Sequence, residues 1–248
     1  MPSDTQPGFL EPLLGIVFDL DGTLVLSHHD FGRMRRDVIR TAEKYGVIPG
    51  HLSVEEPIHR LIERAREEMV ANGVPDGQMF RFDASVHELI DAIELEAIPR
   101  TVARSGADAM LAALTERGFR LGLLTRSSET FCREALQRTE LARYFSYLRT
   151  RSSPGPSKPS PEALDRLLKQ MEIPRDRALY VGDHLIDAEC ARAAHVRFYA
   201  VLPDPAEPSS MNSDRFQAAG VAAIAKDLPE LARMLDVARP PPPGASAR

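Results

Sequence analysis

Cysteine is nearly absent: Cys132 and Cys190 are the only two in 248 residues, and they share no metal-ligand spacing. This excludes a thiolate metal site, and both are expected to be reduced packing residues rather than catalytic thiols. An excess of positive charge is also missing. Thirty-one Lys and Arg against 36 Asp and Glu leave a formal net charge of −5, so there is no general pull toward nucleic acid or an anionic membrane. No apolar run approaches the roughly 18 residues of a membrane span. The N-terminus carries Asp4 and Glu11 and no basic stretch before its apolar segment, which argues against a signal peptide. A soluble, cytoplasmic protein without internal repeats is the expectation. With 43% apolar and 27% charged residues, the chain has ordinary globular composition and a length that suits one or two domains.

What is there begins at Leu13-Leu14-Gly15-Ile16-Val17-Phe18, an apolar run of strand length that ends in Asp19-Leu20-Asp21-Gly22-Thr23-Leu24. Residues i and i+2 of a strand share a face, so an extended backbone as far as Gly22 leans both acids toward one site. Two close carboxylates raise each other's pKa unless a positive group lies between them, and a hard cation such as magnesium meets that need. A lone D-x-D serves equally well as the start of a solvated turn before Gly22.

After Thr23 the pattern reads as helical. His28-His29-Asp30 suits a solvated connector better than a metal site, with Asp30 as a helix N-cap. Ser53-x-x-Glu56 with Pro57 has the form of a capping box. Ile58, Leu61, Ile62, Ala65 and Met69 then recur at helical spacing until Asn72-Gly73. A further helix is predicted over 84–97, with Val86, Leu89, Ile90 and Ile93 as its buried stripe. Nothing in 26–98 alternates with period two, so this segment is expected to form a small, all-helical inserted domain.

From Ala103 helices and short apolar strands alternate. Strands are predicted at 121–125, 144–148, 178–181 and 196–202, and helices at 107–117, 128–137, 160–171, 186–194 and 229–237. Such alternation implies an α/β fold with a parallel, Rossmann-like sheet over 1–25 and 99–238, with ligands at the C-terminal strand ends. The Pro-rich segment 239–248 reads as a disordered tail.

The strand ends carry Asp19 and Asp21, Thr125, Lys158 in its Pro/Gly loop, and Asp183 with Asp187 four residues on. Each has an ordinary alternative as a strand-end hydroxyl, a solvated loop charge or a first-turn acid. Lysine is scarce, four against 27 arginines, so Lys158 at a loop tip beside the other groups stands out. FDLDGTL resembles the first motif of the haloacid dehalogenase-like hydrolases, a superfamily dominated by magnesium-dependent phosphatases. LLTRSS is similar to its second motif through Thr125, Lys158-Pro159-x-Pro161 to its third, and Val181-Gly182-Asp183-x-x-x-Asp187 to its fourth. The helical insertion resembles the cap of the phosphoglycolate phosphatase-like branch. Leu26-Ser27 and His184 depart from the usual residues beside the first and fourth motifs.

The resemblance implies a phosphatase of small phosphorylated metabolites. It makes Asp19 the nucleophile and Asp21 the acid and base, with phosphate held by Thr125, Arg126 and Lys158. It implies Mg2+ on Asp19, Asp21 through its backbone carbonyl, and Asp183, with Asp187 orienting that shell. A mutase of the β-phosphoglucomutase type shares these motifs, and a regulatory protein on a retained fold is the non-enzymatic alternative. A haloacid dehalogenase fits less well, since that reaction needs neither Asp21 nor magnesium. Arg33, Arg35, Arg36 and Arg81 are candidate substrate contacts among many surface arginines, and oligomeric state is left open, as are the roles of His28, His29 and His184.

Overall fold

Gly15–Phe18 is buried at every residue and forms β1, the centre of a parallel sheet. The computed structural model describes residues 12–205 and 211–237. Beside β1 lie β4 (Arg120–Leu124) and β6 (Ala178–Gly182), in register Ile16 to Leu121 and Ile16 to Leu179. Outward from these run β5 (Tyr147–Arg149), β7 (Arg197–Val201) and β8 (Ala223–Ala225), in the order β5-β4-β1-β6-β7-β8, all pairs parallel. A parallel sheet needs cover on both faces, which is why its inner strands read as continuous apolar runs rather than as alternation. The cover comes from α4 (Ala107–Glu116), α5 (Glu129–Arg138), α6 (Pro161–Gln170), α7 (Leu185–Ala193) and α9 (Leu228–Val237), with a short α8 (Ser213–Ala218). Leu164, Leu167, Leu168 and Met171 turn one stripe of α6 into the core beside Val17 and Tyr180.

Two compact units divide the chain: residues up to Ser27 with those from Thr101 onward, and His28–Arg100. The second is built from α1 (Phe31–Lys44), α2 (Ile58–Ala71) and α3 (Asp76–Ala97). Met34 and Val38, Leu61, Ala65 and Met69, and Phe82, Val86, Ile90 and Ile93 bring the apolar stripes of the three helices into one core. Asp30 caps α1, accepting a bond from the Arg33 amide at 2.7 Å, and Asn72 ends α2 as expected.

Several expectations are corrected. Val25–Leu26 is not helical; it is β2, paired antiparallel with β3 (Val102–Ala103) in a separate two-stranded ribbon. Ser53 and Glu56 do bond, Glu56 accepting from the Ser53 amide at 3.1 Å, but the turn they close precedes the helix, and α2 starts after Pro57 without a side-chain cap. Helix α3 begins two turns earlier than predicted, directly after Pro75, because the polar stretch Asp76-Gly77-Gln78 hides its start. The tail at 239–248 lies outside the described residues.

Candidate active site

The carboxylate of Asp19 stands one residue past the end of β1, and its backbone amide still donates to the Val181 carbonyl at 2.9 Å. The chain then leaves the sheet in a tight turn. Gly22 has φ +81 and donates its amide to the Val25 carbonyl at 2.8 Å. A Cβ on Gly22 would stand 2.3 Å from the Asp183 Oδ2, so the turn and Asp183 approach as closely as a residue without a side chain permits. The extended backbone therefore does not continue to Gly22, and Asp21, half-buried, forms an isolated bridge with Val25.

Three of the sequence-derived residues, Lys158, Asp19 and Asp187, meet directly. Lys158, 5% exposed, donates from Nζ to the Asp19 Oδ1 at 2.6 Å and to the Asp187 Oδ1 at 2.7 Å. The Asp187 Oδ1 also accepts the Tyr180 hydroxyl at 2.7 Å, and its Oδ2 accepts the His184 amide at 3.2 Å. His184 itself caps α7, its Nδ1 accepting from the Ile186 amide at 3.2 Å. Thr23 donates its hydroxyl to the Asp183 Oδ1 at 2.8 Å. Thr125 lies buried at the end of β4, with its amide on the Arg149 carbonyl and its hydroxyl oxygen accepting from the Ser127 amide at 3.1 Å. Arg126 follows, half-buried; its carbonyl accepts from the Arg151 guanidinium at 2.7 Å, and its charge reaches the His184 imidazole.

Asp19, Asp183 and Asp187 each offer an oxygen within 4.8 Å of the others; Asp21 is not in that group. Burial pushes the Asp19 carboxyl up to about 7, with Lys158 opposing and Asp187 adding to the rise. Asp183 is pushed well above the usual carboxylate range by burial and by the charges of Asp19 and Asp187, against the Thr23 bond. Burial alone would lower the Lys158 ammonium, but Asp187 and Asp19 outweigh it and raise the pKa. One lysine among three clustered carboxylates leaves a deficit of positive charge. A hard, oxygen-seeking divalent cation fits this donor set.

Three further residues shape the site, and none was assigned its role from the sequence. Tyr180 braces Asp187, and the signal available was a polar-tipped residue in an otherwise apolar strand. Thr23 stands within the first motif, but its partner Asp183 lies 160 residues on and gives no local sign. Arg104, 4% exposed, donates to the Gly22 carbonyl at 2.8 Å.

An open parallel sheet that brings a buried lysine and clustered carboxylates to its C-terminal edge sets a charged, ionisable site where α/β enzymes hold their ligands. Residues 16–201 match the sequence model of the family described as haloacid dehalogenase-like hydrolase, and the chain belongs to that family. It is 29% identical over 192 residues to a phosphoglycolate phosphatase of Nitrosospira multiformis, covering 77% of this chain and 83% of that one. It is 30% identical to a phosphoglycolate phosphatase of Pseudomonas fluorescens, over 75% of this chain and 68% of that one. Among solved structures, a hydrolase from Pseudomonas syringae shares the fold with a TM-score of 0.65, at 20% identity, over 91% of this chain and 99% of that one. Among the described residues no helix is long and apolar enough to cross a membrane.

Proposed function

We propose that the protein is a Mg2+-dependent phosphatase of small phosphorylated metabolites, acting through an aspartyl-phosphate on Asp19. Membership of the hydrolase family and the phosphoglycolate phosphatase relatives support phosphatase chemistry. The observation that carries the residue assignment is Lys158 bridging Asp19 and Asp187 at the sheet edge. A phosphate monoester repels an attacking carboxylate, so the site must offer positive charge before nucleophilic chemistry can begin.

In the first half-reaction a carboxylate oxygen of Asp19 attacks phosphorus and the ester P–O bond breaks. Asp21 gives its proton to the leaving oxygen. In the second half Asp21 takes a proton from water, the water oxygen attacks phosphorus, and the acyl-phosphate bond breaks to free Asp19 and inorganic phosphate. Lys158, Thr125 and Arg126 hold the remaining phosphate oxygens. Asp19, Asp183 and the backbone carbonyl of Asp21 would hold the Mg2+, which when bound supplies the charge that screens carboxylate from phosphate.

The helical unit His28–Arg100 is proposed as the substrate-selecting cap, and a phosphoglycolate-like acid or a sugar phosphate as its substrate. Both cysteines are buried and form no disulfide among the described residues, and a cytoplasmic location is part of the proposal. The test is phosphate release across a panel including phosphoglycolate and sugar phosphates, with and without Mg2+, beside a folded Asp19→Asn variant. Release that needs both Mg2+ and Asp19 is the expected result. Wild-type activity in the variant would remove Asp19 as nucleophile. Phosphoryl transfer to a sugar phosphate that outpaces hydrolysis would make the protein a mutase instead.

A further inference from the structure

The turn that presents the carboxylate site is closed by backbone bonds from the Gly22 amide to the Val25 carbonyl and from the Leu24 and Val25 amides to the Leu20 carbonyl, but none of these uses the Gly22 carbonyl. Gly22, at φ +81, is the residue type with the greatest backbone freedom, and Thr23, next to it, holds Asp183. The bond that holds the carbonyl of the Gly22–Thr23 peptide comes from outside the turn. Residue 104 meets the turn twice: its backbone amide donates to the Leu24 carbonyl at 2.9 Å, and its Nη1 donates to the Gly22 carbonyl at 2.8 Å. The other arm, Nη2, bonds the Leu202 carbonyl just beyond β7. One planar guanidinium thus ties the turn after β1 to the main sheet two strands away.

We infer that Arg104 is a positioning residue for the cation site: by fixing the Gly22 carbonyl it sets the Thr23 hydroxyl, and the hydroxyl sets Asp183. This rests on the cation-dependent reading of the site given above. A carbonyl oxygen and the following N–H lie in one peptide plane, so anchoring the Gly22 oxygen also fixes where Thr23 begins. The fork geometry matters, because a lysine ammonium is a point donor on a flexible stem and does not reproduce two bonds in fixed directions.

Binding of Mn2+ alone, followed by the spectroscopic signal of the free ion, reads the site without turnover. Charge-assisted bonds to partly buried groups are the strong class, so Arg104→Met should weaken Mn2+ binding by about tenfold or more. The KM for a phosphate ester at saturating Mg2+ should stay within about twofold of wild type while kcat falls, since no substrate contact is removed. Arg104→Lys should recover part of the cation affinity. Adding Thr23→Val to Arg104→Met should cost little more, because both act on Asp183 through one relay. Mn2+ affinity in folded Arg104→Met equal to wild type would overturn the inference. Should that variant fail to fold, Thr23→Val alone tests the relay from its other end, and unchanged Mn2+ affinity there overturns it equally. Wild-type protein that binds no Mn2+ would instead refute the cation reading itself, and the inference with it.

Discussion

Asp19 in the cation-free protein is expected to cost stability as pH rises, and the cost can be worked from its surroundings. Its carboxyl moves from 3.8 for a solvated aspartate to about 7 on burial, even with Lys158 at 2.6 Å. The folded state therefore holds this proton more tightly than the unfolded state does. Below the unfolded pKa both states are protonated and the favourable contribution is complete; it is lost as pH rises through the folded value. The shift sets a scale of about 4 kcal/mol between roughly pH 4 and 7. Asp183 is raised as well and shares the same field, so the loss should spread over the pair rather than fall in one step at 7. The measurement is urea unfolding of wild type and Asp19→Asn in chelator across pH 4 to 8. The variant's stability relative to wild type should climb with pH by a few kcal/mol. Saturating Mg2+ should close the gap above pH 7, because a cation bound only by the folded state adds about 2.7 kcal/mol at a hundred times its Kd. A stability difference that stays flat with pH in chelator would refute the reasoning.

Lys158→Ala removes the ammonium that touches both Asp19 and Asp187, and turnover should fall by roughly a hundredfold or more, read as kcat at saturating Mg2+. Gly22→Ala forces a Cβ to within 2.3 Å of the Asp183 Oδ2 at a φ that L residues avoid, so Asp183 must move, and activity should drop by roughly a hundredfold. Tyr180→Phe deletes the 2.7 Å bond to Asp187 inside the core and should cost about 1 to 3 kcal/mol in denaturant unfolding. The same variant should retain most of its kcat if Lys158 alone keeps Asp187 in place.

Local chemistry made the elements readable, and distance in the chain hid their connections. Apolar runs such as Ile16-Val17-Phe18 and Leu179-Tyr180-Val181 announce buried strands because both faces of a parallel sheet are dry. The groups at their C-terminal ends follow from that topology, which is why the positions of Asp19, Lys158, Asp183 and Asp187 are legible in the sequence. Val25–Leu26 was not legible as a strand because its partner, Val102–Ala103, is exposed, only two residues long and more than seventy positions away. The short β8 and α8 carry too few residues for a period to show. Arg104 was hidden for a different reason. It bonds backbone carbonyls, and a carbonyl partner has no residue identity for a sequence pattern to reveal.

The same bookkeeping of donors separates the three clustered carboxylates. An ionised carboxylate has about four lone-pair sites. Asp187 already spends three, on Lys158, Tyr180 and the His184 amide, and it is held against Gly182, where an added Cβ would lie 2.5 Å from its Oδ2. Asp183 accepts one, from Thr23, and Asp19 two, from Lys158 and from the Leu20 backbone amide. A divalent cation seeks oxygens whose charge is not already shared out among protein donors, so on the proposed reading Asp19 and Asp183 would be the better ligands. Asp187 acts best through Lys158, holding the ammonium between itself and Asp19. Replacing Asp187 with Asn should therefore disturb Lys158 and turnover more than Mn2+ affinity, whereas Asp183→Asn should do the reverse. Equal losses of Mn2+ affinity in both variants would show that Asp187 binds the ion directly.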